Sequence, residues 1–185
     1  MHGACRPHRL RIVFLDLDGV VHPADTAGQP RSTDGNEGQW FVAPGLFEPD
    51  CLRRLKRIVD ITGAVIVLSS SWRLEPDSLV MAQARLAEWE MCIHDTTRRD
   101  CSLGVLSRAE EIVLWLREHL SEVEAVVVLD DMDLSDALGV SNTVTVDCAT
   151  GLSENDVLAA VGALQRDGGA AEVLIAFEAW VGVCC

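Results

Sequence analysis

Two clusters of acids, each placed directly behind an apolar run, are the residues with the most chemistry in them. The first is Asp16-Leu17-Asp18-Gly19-Val20, which follows Arg11-Ile-Val-Phe-Leu15. The second is Asp130-Asp131, which follows Val126-Val-Val-Leu129. Short continuous apolar runs suit strands buried on both faces. In open α/β sheets the ligand lies beyond the carboxyl ends of such strands. Carboxylates crowded at strand ends repel one another unless protons or a cation neutralise them, and an all-oxygen ligand set suits Mg²⁺. On these grounds Asp16, Asp18, Asp130 and Asp131 are the candidate metal site. Gly19 permits a tight turn and lets the backbone come close to a bound group. The competing reading of the second cluster is a solvated acidic loop that continues through Asp133 and Asp136.

Positioning those acids requires strands and helices in alternation, and the apolar pattern supplies them. After the strand ending at Leu15, residues 22–49 are rich in Gly, Pro, Asp and Thr and lack a period; they read as a long loop, a small flap with a short strand at Trp40 to Val42. Leu52, Leu55, Ile58 and Val59 recur at helical spacing over Asp50 to Ile61, and Thr62-Gly63 provides a stop. A strand over Ala64 to Leu68 follows, then a helix over Glu75 to Glu90 and a short third strand over Met91 to Ile93. Ser107 with Glu110 forms a capping box ahead of Ile112, Val113, Leu116 and Leu120. Strands at Ala125 to Leu129 and Thr143 to Val146 come next, and a last helix opens at Ser153 with Asp156. Strand-helix alternation of this kind implies a doubly wound α/β fold, with a mainly parallel five-stranded Rossmann-like sheet and helices on both faces. Residues 1–10 read as a basic arm and 11–167 as the domain. Gly168-Gly169 reads as a hinge into an apolar tail that forms either a docked helix or a strand.

The strand with Asp16-Leu-Asp18-Gly19 resembles the opening motif of the haloacid dehalogenase (HAD) superfamily. Ser69-Ser70-Ser71, at the end of Val65-Ile-Val-Leu68, stands where that superfamily has its second motif, and Asp130-Asp131 stands where it has its fourth. The third motif normally contributes a Lys; the best candidate here is Arg108, in the first turn of a helix where backbone N–H groups also favour anions. Its other reading is an exposed Arg paired with Glu110 or Glu111 on the same helix. More narrowly, Leu68-Ser-Ser-Ser-Trp-Arg73, the helix with Trp115-Leu116, and Thr150-Gly151-Leu152 resemble the small HAD domains of RNA-repair polyproteins.

The resemblance implies a Mg²⁺-dependent phosphohydrolase acting on a phosphomonoester. Asp16 would be the nucleophile that forms an aspartyl phosphate and Asp18 the general acid and base. Ser69, Ser70, Arg108 and Gly19 would bind the phosphoryl oxygens, and Asp16, Asp18 (through its backbone carbonyl), Asp130 and Asp131 would surround the metal. Trp72, Arg73 and His22 are as compatible with packing and pairing as with substrate contact. Cap insertions set substrate choice in this superfamily and neither segment here is long, so the site is expected to be minimally capped. An open site of this kind admits a nucleotide or a polynucleotide end.

Composition narrows the partners. Fifteen basic against 29 acidic residues leave a formal charge of −14, which opposes a surface that coats nucleic acid without specificity. A local phosphate site survives that charge, because screening acts over ~8 Å at physiological salt. No apolar run approaches a membrane span, and Met1 to Arg11 lacks the apolar core of a secretory signal, so a cytoplasmic protein is expected. Seven cysteines without a CxxC pair suggest neither a disulfide framework nor zinc. The sequence carries no signature of an oligomeric state. Two competing classes are a non-catalytic HAD-like module that holds Mg²⁺ while docking a partner, and a receiver-type domain. The second is disfavoured because Ser69 to Ser71 occupy the position of its phosphate-accepting Asp.

Overall fold

Ile12, Val13, Phe14 and Leu15 are all fully buried, as a central strand covered on both faces requires. They belong to β1 (Leu10–Leu15), the middle strand of a five-stranded sheet in a computed structural model that describes residues 9–24, 47–98 and 106–183. The chain continues through α1 (Pro49–Thr62), β2 (Val65–Leu68), α2 (Pro76–Ala87), β3 (Ile93–Thr96) and α3 (Arg108–His119). Then come β4 (Val123–Asp130), a short α4 (Ser135–Leu138), β5 (Thr143–Thr145), α5 (Glu154–Leu164) and α6 (Gly169–Val183). The strand order is β3-β2-β1-β4-β5 and every pairing is parallel. The chain therefore winds outward from β1 to β3, crosses back, and continues outward on the other side. The reversal leaves a crevice at the carboxyl ends of β1 and β4.

Alternating side chains divide the core between the two faces of the sheet. Val13, Leu15, Ile66, Leu68, Val127 and Leu129 pack with α1, α2 and α5. Ile12, Phe14, Val67, Val126 and Val128 pack with α3, α4 and α6. Of the two forms left open for the C-terminal segment, the helix is the one present: Ala170, Val173 and Phe177 of α6 are buried in the second layer. Among the described residues no helix is long and apolar enough to cross a membrane.

The helix ends follow the local chemistry. Reciprocal capping boxes, Ser107 with Glu110 and Ser153 with Asp156, open α3 and α5. Gly63, at φ 66°, closes α1 by donating its N–H to Val59 O. Several boundaries differ from expectation: β4 begins two residues before the expected Ala125 and β5 ends one residue before the expected Val146, and two larger differences have a clear cause. The third strand runs Ile93–Thr96 rather than Met91 to Ile93, because Met91 is a buried plug in the turn after α2 while the polar His94 and Asp95 suffice for an edge strand. α2 stops at Ala87 rather than reaching Glu90, where the backbone turns left-handed at φ 56°. The stretch after Asp131, for which a solvated loop was the competing reading, contains α4, whose Ala137 and Leu138 are buried. The expected strand at Trp40 to Val42, most of the 22–49 loop and residues 1–8 lie outside the described residues.

Candidate active site

Parallel register brings the acids together. Leu15 of β1 is paired with Leu129 of β4 and with Leu68 of β2. The next residues on the three strands are Asp16, Asp130 and Ser69. Asp16 N–H donates to Leu129 O at 2.9 Å and Ser69 N–H donates to Leu15 O at 2.9 Å, so all three lie in one row at the strand tips. Oxygen atoms of Asp16, Asp130 and Asp131 fall within 4.8 Å of one another.

Arg108, the first residue of α3, closes this group from the side. Its guanidinium lies 2.7 Å from Asp130 Oδ2 and 3.3 Å from Asp16 Oδ2. Glu111, its alternative partner in sequence, instead takes Arg73 in a buried ion pair. Burial by itself would lower the Arg108 pKa, and the charges of Asp16 and Asp130 outweigh it, so the group titrates above its ordinary value. Burial pushes Asp130 up to about 6; Arg108 opposes that rise and the Asp16 charge adds to it. Asp131 is raised too, first by burial and then by Asp16. Three carboxylates and one guanidinium leave two negative charges uncompensated. An all-oxygen pocket with that deficit fits a divalent cation such as Mg²⁺.

Gly19 has two independent reasons to be glycine. Its φ is +74°, and a Cβ built there would lie 2.7 Å from Asp131 Oδ2, so the bare backbone is what lets Asp131 approach the turn. The turn is held by Leu17 O, which accepts the N–H groups of Val20, Val21 and His22. Asp18, two residues past Asp16, stands outside the converging carboxylates. Its Oδ1 lies 3.0 Å from His22 Nδ1 and its Oδ2 accepts the Trp72 indole N–H at 2.9 Å. The neighbours of Asp18 are what sequence reasoning missed; His22 was noticed only as a residue near a strand end, and no spacing connects position 18 with position 72.

The segment after β2 has a distinct task for each residue. Ser69 is fully buried and its hydroxyl has no partner among the described residues. A buried donor left open at the row of acids is what an incoming anion would satisfy. Ser70 Oγ instead accepts the backbone N–H of Trp72 at 3.5 Å and caps the tight turn Ser71–Leu74. Arg73 donates to Ser69 O at 2.9 Å, Ser70 O at 2.5 Å and Thr97 O at 2.8 Å, which fastens the strand tip from behind. Thr150-Gly151-Leu152 backs the first turn: Leu152 N–H donates to Val20 O at 2.9 Å, and a Cβ on Gly151 would meet Cys51 Sγ at 2.7 Å.

A family model described as the HAD domain in Swiss Army Knife RNA repair proteins matches residues 12–157. The chain belongs to this family. The matched span of the HAD domain runs from β1 into α5 and so takes in every side chain of the site just described. Membership supports a phosphatase-type hydrolase, with which the Asp16, Asp130 and Asp131 group is compatible. No curated protein and no solved structure gives a significant match to the chain.

Proposed function

We propose that this HAD domain is a Mg²⁺-dependent phosphatase that hydrolyses phosphomonoesters through a phosphorylated Asp16. The observation that carries this reading is the convergence of Asp16, Asp130 and Asp131 beside Arg108, with the open hydroxyl of Ser69 at the same row of strand tips. Asp16, Asp130 and the main-chain carbonyl of Asp18 would hold Mg²⁺, with Asp131 beside it. Bound there, the cation supplies positive charge against the oxygens of the transferring phosphoryl group.

Asp16 attacks phosphorus, forming a carboxylate O–P bond as the P–O bond to the leaving group breaks. Asp18 gives its proton to the departing oxygen and later takes one from the water that cleaves the Asp16–P bond, releasing phosphate. Arg108 and Ser69 donate to the phosphoryl oxygens, where charge is spread in the transition state. Arg108 already lies against Asp16, so the nucleophile is held in place and its repulsion toward an anionic substrate is lessened.

The family description points to RNA repair, which favours a phosphorylated polynucleotide end as substrate. A formal charge of −14 argues for contact at the end alone rather than along the strand. The test is hydrolysis of an aryl phosphate, followed by a screen of nucleotides, sugar phosphates and 3′- or 5′-phosphorylated oligonucleotides. Activity should require Mg²⁺ and disappear in Asp16→Asn while the fold is retained. An inert wild type would favour the partner-docking module, and an active Asp16→Asn would remove the aspartyl-phosphate step.

A further inference from the structure

Asp18 is the one acid of the first cluster that is both exposed and tethered. Its side chain is 52% exposed, yet each of its oxygens has a defined neighbour: His22 Nδ1 at Oδ1 and Trp72 Nε1 at Oδ2. The two neighbours are chemically unlike. An indole N–H can only donate, whereas an imidazole nitrogen donates or accepts according to its tautomer. Oδ2 is therefore the committed acceptor, and it accepts most strongly when it is the unprotonated, carbonyl-like oxygen. A proton carried by Asp18 belongs on Oδ1.

Trp72 is itself rigidly placed. It is 7% exposed, its ring packs against Phe47 with centroids 5.4 Å apart, and its backbone N–H is capped by Ser70. Arg73, the next residue, locks the same turn to the tip of β2 through the carbonyls of Ser69 and Ser70. The indole thus transmits the position of β2 to an acid that stands on a different strand end and would otherwise sample several rotamers. A fixed donor of this kind orients a general acid without touching the substrate.

We propose that Trp72 is a positioning residue: its indole N–H fixes Oδ2 of Asp18 as an acceptor and leaves Oδ1 as the oxygen that delivers the proton to the leaving group. The inference rests on Asp18 acting as general acid, as set out above. In the step concerned the Asp16–P bond forms, the P–O bond breaks, and the proton on Asp18 Oδ1 moves to the departing alkoxide.

The test uses leaving groups of different basicity. An alkyl phosphate needs its leaving oxygen protonated, whereas 4-nitrophenyl phosphate needs little help, and kcat/KM reports only the steps through leaving-group departure. In Trp72→Phe, which keeps a ring against Phe47 and removes the N–H, the loss of kcat/KM on the alkyl ester should exceed the loss on the aryl ester by at least about tenfold. Both substrates are read on one preparation, so the ratio does not depend on the fraction folded. Trp72→Gln, which restores an N–H donor without the ring, should bring the ratio back to within about threefold of wild type. Equal losses on the two esters in Trp72→Phe, or a ratio in Trp72→Gln as depressed as in Trp72→Phe, would overturn the inference. Asp18→Asn separates this from the reading beneath it. If that variant still cleaves the alkyl ester, the general-acid role fails and the inference fails with it; if it is inert while Trp72→Phe shows equal losses, only the inference fails.

Discussion

In the metal-free protein, the stability of Asp130→Asn relative to wild type should shift in the variant's favour as pH rises from acidic to neutral. Asp130 is 1% exposed, and burial raises its pKa from the usual 3.8 to about 6, with the Asp16 charge adding and Arg108 only partly offsetting the rise. The native state therefore holds this proton more tightly than the unfolded chain does. Its contribution to stability is fully present below the unfolded value and is lost as pH rises through about 6, because over that window unfolding releases the proton. A gap of this size corresponds to about 3 kcal/mol in all. Between about pH 5 and about pH 7.5 the wild type should lose roughly 1–2 kcal/mol through this residue alone, and an amide, neutral throughout, should lose none. For a chain of this length that is a shift of roughly 2–8 °C, in the variant's favour, in the Tm difference between variant and wild type. The assay is thermal denaturation of both proteins in chelator at the two pH values. The difference of differences removes whatever the amide gains or loses against the Met132 N–H and Arg108. A Tm difference that stays constant, or moves in the wild type's favour toward neutral pH, would refute the argument that the strand-tip acids are held charged at a cost to the fold.

Three further outcomes follow from the same geometry. Ser69→Ala should leave stability within about 0.5 kcal/mol, since the buried hydroxyl has no partner to lose among the described residues, yet should lower kcat/KM by roughly 10²-fold if that hydroxyl serves a phosphoryl oxygen; urea melts and aryl phosphate kinetics check the pair. Gly19→Ala should destabilise by about 1–3 kcal/mol from its left-handed φ, and by displacing Asp131 should weaken the thermal stabilisation that Mg²⁺ confers. Arg73→Met removes the buried guanidinium that pairs with Glu111 and donates to the carbonyls of Ser69, Ser70 and Thr97, and should reduce unfolding free energy by about 3–5 kcal/mol, measured by urea denaturation; a change under 1 kcal/mol would mean that these contacts are not formed in solution.

Much of the fold was legible in the sequence because strands buried on both faces leave uninterrupted apolar runs. Val65 to Leu68 and Val126 to Leu129 could be read at once, and the capping serines at 107 and 153 marked helix starts to the residue. Where a segment was only half buried the signal weakened. β3, at the sheet edge with exposed His94 and Asp95, was placed two residues early, and α4 was assigned no element because its four residues are too few to show a period. The apolar composition of α6 announced burial without choosing between helix and strand.

The sequence by itself determined which residues carry reactive groups and that each acidic cluster ends a buried strand, since both facts are local in the chain. Tertiary structure decided which of them meet. Pairing Leu15 with Leu129 in parallel register places Asp16 against Asp130 and Asp131, and the start of α3 aims Arg108 at both strand tips. It also decided what surrounds Asp18, for positions 18, 22 and 72 come together only when the turn after β1 folds against the turn after β2. Contacts between residues that far apart depend on how whole elements pack, which no local pattern of residue types encodes.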